Sequence, residues 1–352
     1  MVLEDIDFGI LQELADNPQT TDIVVTDTGR VWVDKGFGLQ EYNPRIPFDN
    51  PMILREYAVW LCAQLGKRLD DSCPIADASS PVGVRVHALI APIVLSGAAI
   101  SIRFPALKRY CLTELSSRGM FPIELSRILY LLVTQRANIL ITGSTGSGKT
   151  TLMKSLLASC DEKDRIVTVE ETRELGSLSK DHVSLATREA NVEGVGSVGL
   201  SDLVKATLRM RPDRIILGEC RGQEIADLLR VFTCGHKGGM TTLHADKVQK
   251  VPARLMSLGL LAGLEPSSLC ALAADAFDVV IHVERVNGMR IVKELGILRS
   301  TDSGALEGVP ILRLKNCVNS KDSNFSAQIE ATSAWKNFAV KWHLPLNTGL
   351  FL

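Results

Sequence analysis

Residues 143–150 read Gly-Ser-Thr-Gly-Ser-Gly-Lys-Thr, a complete G-x-x-x-x-G-K-[ST] phosphate loop. The motif makes mechanical sense only between a strand and a helix, and both flanks supply them. Ala137–Thr142 is apolar and β-branched, as a buried strand requires, and Thr151–Ser159 spaces its apolar residues helically. In that setting the glycines let the backbone curl its N–H groups around a phosphate, and the helix N-terminus adds partial positive charge. Gly143, Ser144, Thr145, Gly146, Ser147, Gly148, Lys149, Thr150 and Thr151 are therefore the candidate nucleotide-binding residues. Lys149 suits the β- and γ-phosphates, and the Thr150 hydroxyl suits Mg²⁺. A chance glycine-rich turn would not bring both flanks with it, so the chain is expected to bind a nucleoside triphosphate.

The 352 residues leave room for two domains, and a composition of 46% hydrophobic and 22% charged residues is globular. A net charge of −1 offers no global attraction to a polyanion. No basic stripe interleaves with aromatics, so direct nucleic-acid binding is not expected. Eight cysteines without a C-x-x-C pair argue against a zinc ribbon or a disulfide framework. They read as small buried hydrophobes in a reducing cytoplasm. The N-terminus is acidic and lacks the apolar core of a secretory signal. The longest apolar stretch, residues 88–102, is interrupted by Pro92, Ser96 and Gly97 and is too short to span a bilayer.

Pattern along the chain divides it into four parts. Residues 1–104 read as a small α+β domain: an amphipathic helix over 1–16, a hairpin over 22–33 turning at Asp27-Thr-Gly29, a helix over 51–65 and β-rich runs at 82–91 and 98–104. Residues 105–118 read as a linker. From 119 to 300, strands alternate with helices, which implies a mainly parallel sheet covered on both faces. Here a helix is expected over 121–135, a strand over 165–169, a helix from Ser201 as cap to about Met210, and a strand over 214–217. A helix over 223–234 follows, closed by Gly235, then a strand over 240–243 and helices near 247–260 and 266–275. Strands over 278–284 and 289–297 are joined by Asn287-Gly288, a strong hairpin turn. Residues 301–352 form a Ser- and Asn-rich tail of unassigned role, in which Trp335, Phe338 and Trp342 could pack on the domain or on a partner.

In a parallel sheet of this kind the ligand sits at the carboxyl ends of the strands. Lys149, Glu170, Glu171 and Glu219 all fall just past such ends. Glu219 ends the run Arg214-Ile-Ile-Leu-Gly and could lie near Mg²⁺ or orient an attacking water, since phosphoryl transfer needs positioning and charge neutralisation more than covalent chemistry. Two carboxylates at a strand end can equally be a solvated edge. His236 and His244 flank a glycine-rich loop and the strand that follows it, and neither has cysteines at zinc-ligand spacing.

The combination is more specific than its parts. Val167-Thr-Val-Glu-Glu171, Ala206-Thr-Leu-Arg-Met-Arg-Pro-Asp213, Ile215-Ile-Leu-Gly-Glu-Cys-Arg-Gly222 and Gly235-His with Thr242-Leu-His-Ala245 follow the phosphate loop in that order. This order resembles the secretion ATPase superfamily, the motors of type II and type IV secretion and of type IV pili. Leu208–Arg214, Glu219–Glu224 and Leu185–Asn191, with Pro81–His87 and Ala99–Arg103, look closest to its tight-adherence pilus branch. The resemblance covers about residues 18–298. It departs at Glu171, where aspartate is usual, at Gly239, where serine is common, and at Lys237, where aspartate often stands.

The resemblance implies an α/β fold with a RecA-like P-loop ATPase core, preceded by the small α+β domain, and hydrolysis of ATP with Mg²⁺. Carried over by position, Glu170 and Glu171 form the Asp box, Glu219 is the Walker B acid, and His236 and His244 sense the γ-phosphate or link it to domain motion. Arg85, Arg103 and Arg209 would contact phosphates directly or across a subunit boundary, a task suited to a fork that is always charged. The implied assembly is a homo-hexamer at the inner face of the cytoplasmic membrane, held there only through an inner-membrane platform protein. The implied role is to power pilus assembly or protein secretion at the inner membrane, in a tight-adherence pilus system. The alternatives are a conjugative or type IV secretion ATPase, a RecA-like DNA-dependent ATPase, and a non-catalytic nucleotide-binding regulator. Intact Lys149, Thr150 and Glu219 count against the last.

Overall fold

The computed structural model describes residues 6–36, 38–105, 109–176, 179–188, 190, 195–317 and 326–346. The chain divides into two compact units: Met1–Lys108 with Thr172–Gly176, and Arg109–Glu171 with Ser177–Leu352.

In the first unit, strands β1 (Asp22–Val25), β2 (Val31–Asp34), β3 (Leu39–Tyr42), β4 (Ile75–Ser79), β5 (Arg85–Ile90) and β6 (Ala98–Arg103) form one sheet in the order β3-β2-β1-β6-β5-β4. Every pairing is antiparallel. Burial alternates along β1, β2 and β5, so Ile23, Val25, Val31, Val33, Val86 and Ala88 all turn to one face. The β1–β2 turn closes with Gly29 at φ +82°, where a Cβ would come 2.2 Å from the Phe48 carbonyl oxygen. Only glycine tolerates both the angle and the approach. Helix α1 (Gln12–Ala15) is a single turn preceded by a 3₁₀ turn over Gly9–Leu11; of the helix expected over 1–16, residues 1–5 lie outside the described residues. Helix α2 (Pro51–Gln64) begins with the Asn50 side chain accepting from the Met52 N–H and buries Leu54, Ala58 and Leu61.

The second unit holds a nine-stranded sheet in the order β15-β14-β13-β12-β7-β11-β10-β8-β9. Its strands are β7 (Ile139–Thr142), β8 (Ile166–Glu170), β9 (His182–Ala186), β10 (Arg214–Leu217), β11 (Met240–Leu243), β12 (Val279–Val286), β13 (Met289–Ser300), β14 (Leu306–Cys317) and β15 (Ser326–Ala331). The pairs from β9 to β12 are all parallel. The pairs from β12 to β15 are all antiparallel. Every residue of β7, β8, β10 and β11 is buried, as strands covered on both faces must be. The helices are α3 (Leu112–Ser117), α4 (Ile123–Thr134), α5 (Lys149–Leu157), α6 (Leu200–Thr207), α7 (Glu224–Thr233), α8 (Val251–Leu261), α9 (Pro266–Ala276) and α10 (Trp335–Lys341).

Helix α6 starts two residues earlier than a Ser201 cap requires, and Ser201 is not its cap. Gly199 precedes the first turn and donates its N–H to Asp202 Oδ2 at 3.1 Å, while the Ser201 hydroxyl donates to Asp227. Within residues 301–352, expected from sequence to form a tail, 306–317 and 326–346 supply two strands and α10 to the second unit, and 318–325 and 347–352 lie outside the described residues. Trp335, Phe338 and Trp342 are buried there, Gln135 Nε2 donates to the Trp342 carbonyl at 2.8 Å, and Lys341 Nζ lies 3.1 Å from Asp278. The end of β10 remote from Glu219 is anchored by buried Arg214, which pairs with Asp164 at 2.6 Å and donates to the Val133 carbonyl. Among the described residues no helix is long and apolar enough to cross a membrane.

Candidate active site

The phosphate loop leaves β7 and enters α5 as the sequence requires. Gly143 takes φ +153°, Gly146 +72° and Gly148 +100°, angles that L side chains rarely adopt. Lys149 is buried, and its ammonium donates to the Gly143 and Ser144 carbonyls at 2.9 Å each. Its Nζ also lies 3.4 Å from His244 Nδ1. Ser144, Thr145 and Gly146 are exposed, and Thr150 and Thr151 stand half-buried in the first turn of α5. Ser147 Oγ is buried within the loop without a hydrogen-bond partner. A buried hydroxyl left so costs stability unless a ligand completes it. Together with the glycine cradle, it fits a bound phosphate chain.

Next to the loop stand the acidic residues. Glu170 closes β8 and Glu219 follows β10, a neighbouring parallel strand in which Leu217 stands opposite Val169. The turn after β10 is tied down: Gly218 N–H donates to the Val169 carbonyl, and Thr242 Oγ1 to the Gly218 carbonyl, both at 2.9 Å. Glu219 Oε1 lies 2.7 Å from His244 Nε2, and Glu219 Oε2 accepts from Arg221 Nη2 at 2.7 Å. Arg221 Nη1 also donates to Glu171 Oε2 at 3.1 Å. Burial pushes the Glu219 carboxyl upward, but the Arg221 hydrogen bond and the charges of Arg221, His244 and Lys149 outweigh it and hold the group below its ordinary range. For His244, burial and then the Lys149 ammonium hold the imidazole below its ordinary value, against the opposing pull of Glu219. At neutral pH Glu219 is therefore ionised and His244 neutral. His244 thus links the phosphate-loop lysine to a carboxylate suited to orienting water.

Two expected site residues of this unit lie elsewhere. β11 runs parallel to β7, with Met240 opposite Ile139 and Leu243 opposite Thr142. His244 follows the end of β11 and meets the loop, whereas His236 precedes its start, where the Asn138 side chain donates to the His236 carbonyl at 3.5 Å. A four-residue strand, about 13 Å, separates the two ends. Arg209 is exposed just after α6, where neighbouring Met210 offers its carbonyl to Arg165 Nε at 2.9 Å. It precedes β10 and so also belongs to the remote end. Arg85 and Arg103 belong to the first unit, where they stand opposite each other across β5 and β6. There Arg85 Nη2 pairs with Glu174 at 2.8 Å.

Two residues that sequence reasoning left without a role touch the site. Arg221 lies only two positions past Glu219, and its spacing could have flagged it. Arg290 Nε donates to the Gly146 carbonyl at 3.1 Å from the hairpin after Asn287-Gly288, a contact that nothing in the local pattern foretells.

Comparison with known proteins identifies the family. Residues 4–296 match the family model described as type II/IV secretion system protein. A Mycobacterium tuberculosis protein named for conjugal transfer is 38% identical over 310 residues, covering 86% of this chain and 87% of that one. The type IV secretion system protein VirB11 of Bartonella quintana is 30% identical over 293 residues, covering 72% and 80%. Among solved structures, the ATPase DotB of Legionella pneumophila shares the fold, with a TM-score of 0.55 at 18% identity over 94% of this chain and 82% of that one. With a complete phosphate loop beside Glu219 and His244, the chain belongs to the type II/IV secretion system protein family and hydrolyses ATP.

Proposed function

We propose that this ATPase powers a type IV, conjugation-type secretion machine. The observation that carries the reading is the similarity, over most of both chains, to proteins named for conjugal transfer and type IV secretion. The tight-adherence pilus branch, the first expectation from sequence, gives way to this alternative, because these relatives are named for conjugal transfer and type IV secretion. The parallel half of the sheet, with Lys149, Glu219 and His244 gathered at its carboxyl ends, supports a RecA-like core.

In this reading the loop backbone and Lys149 hold the β- and γ-phosphates, and the Thr150 hydroxyl would hold Mg²⁺, which would supply charge neutralisation on the phosphates. Glu219 orients the water that attacks the γ-phosphorus as the bond to the bridging oxygen breaks and ADP leaves. Glu170 and Glu171 set the acidic edge of the site, and His244 couples Glu219 to Lys149. Arg85, Arg103 and Arg209 contact phosphate directly or across a subunit boundary, and His236 senses the γ-phosphate or links it to domain motion. We assign the chain to a homo-hexamer on the cytoplasmic face of the inner membrane, attached through a platform protein.

Lys149→Ala introduced into the source organism tests the reading. Transfer of the secreted substrate should fall to background while the protein stays at its normal level. Loss of surface pili with transfer intact would overturn it in favour of the pilus branch. Stimulation of the purified ATPase by DNA would favour the DNA-dependent alternative.

A further inference from the structure

Arg221 is mounted differently from an ordinary surface arginine. Its own N–H and that of Gly222 donate to the same oxygen of Glu224, at 2.6 and 2.8 Å. Glu224 is buried in the first turn of α7. On the other side, Cys220 N–H donates to the Thr242 carbonyl at 2.9 Å. The backbone is thus fixed before and after the residue, and the guanidinium extends from a rigid base. Its two η nitrogens reach different carboxylates, Glu219 at 2.7 Å and Glu171 at 3.1 Å. Those carboxylates follow β10 and β8, which are adjacent in the sheet.

Two neighbouring carboxylates repel, and without a cation between them each would swing toward solvent. Glu219 Oε2 accepts from Arg221 Nη2 at 2.7 Å, while Oε1 stands 2.7 Å from His244 Nε2 without a hydrogen bond, so the orientation of its carboxylate depends on Arg221. Orientation of this kind governs attack by water, where a displacement of about 1 Å can cost about 10²-fold in rate. We infer that Arg221 is a positioning residue for ATP hydrolysis: its planar fork ties Glu171 to Glu219 and fixes the carboxylate that orients the attacking water. The inference rests on the reading of Glu219 given above.

Stability separates this role from a structural one. Arg221 and Glu171 are both about half exposed, and exposed ion pairs contribute little to folding. The test measures kcat, KM for ATP and Tm for the full chain and for Arg221→Gln, Arg221→Lys, Glu171→Gln, Glu219→Gln and the double variant Arg221→Gln/Glu171→Gln. Arg221→Gln should lower kcat about 10²-fold with KM within about threefold and Tm nearly unchanged. Arg221→Lys should recover only part of the loss, because a point charge cannot serve two carboxylates as a fork does. The double variant should be no slower than Arg221→Gln alone, since the two residues act as one unit. A normal kcat in Arg221→Gln, additive losses in the double variant, or a loss that tracks Tm would overturn the inference while leaving Glu219 in place. A normal kcat in Glu219→Gln would overturn the reading of Glu219 and the inference with it.

Discussion

At Gly143 a Cβ would lie 2.2 Å from the Val283 carbonyl oxygen and 2.6 Å from Ser147 Oγ. The loop and the neighbouring strand β12 therefore meet at a position with no room for a side chain. Gly143→Ala combines that clash with an unfavourable φ, a strain of about 1–3 kcal/mol. Nucleotide affinity should fall about tenfold or more. Titration with a fluorescent ATP analogue checks this, and wild-type affinity would show that the loop accommodates a methyl group. Glu219→Gln asks a different question, because it keeps the shape and removes the charge. ATP should still bind, and kcat should fall about 10²-fold or more, as single-turnover and equilibrium-binding measurements on one preparation would reveal. These residues were legible because each follows a strand directly. The two histidines show where that logic ends. His236 and His244 are eight positions apart, but a buried strand lies between them and delivers only His244 to the loop. Arg290 reaches the loop from a hairpin far along the chain, which no local pattern encodes.

Among the elements, those set by local chemistry were read closely from sequence. Helix α2 has its Asn50 cap and Pro51, the β12–β13 turn has Asn287 and Gly288 at φ +49° and +84°, and α7 ends before Gly235 at φ +97°. Strands β14 and β15 carry no such local signal, because each is defined by the strand it pairs with. Helix α10 carried its signal in plain view, since Trp335, Phe338 and Trp342 recur at helical spacing, but their burial partners could not be read from it. The rings of Trp335 and Phe338 lie 6.0 Å apart, tilted by 37°, and both side chains are almost fully buried. Phe338→Ala should therefore destabilise the second unit by about 3–5 kcal/mol in urea unfolding. A cost under about 1 kcal/mol would mean that α10 docks only loosely.

For the molecule as a whole, the proposed roles of Arg85 and Arg103 require both units to take part in hydrolysis. Arg103→Ala should then lose several powers of ten in turnover, and Arg103→Lys should restore only part of it. ATPase rate and Tm measured on the same preparation decide the matter, because a destabilised protein with normal turnover below its Tm would confine Arg103 to its own sheet. Acid should also weaken the fold. Burial holds His182, His244 and His282 below the ordinary histidine value. The unfolded chain therefore binds protons at a higher pH than the folded one. The stability these groups contribute is full above about pH 6.5 and drains away as pH falls through their lowered values. Tm should drop between about pH 7 and 5.5, and less steeply in His282→Gln; a flat profile would contradict the burial argument. The first unit, finally, is not one stretch of polypeptide. The chain passes between the units after Lys108, after Glu171 and after Gly176, and the short returning stretch brings Glu174 to Arg85. Recombination at a single breakpoint near residue 108 would part Arg85 from its inherited partner. This N-terminal unit is therefore not a cassette that evolution can trade whole, and changes in residues 1–108 and 172–176 must keep step with each other.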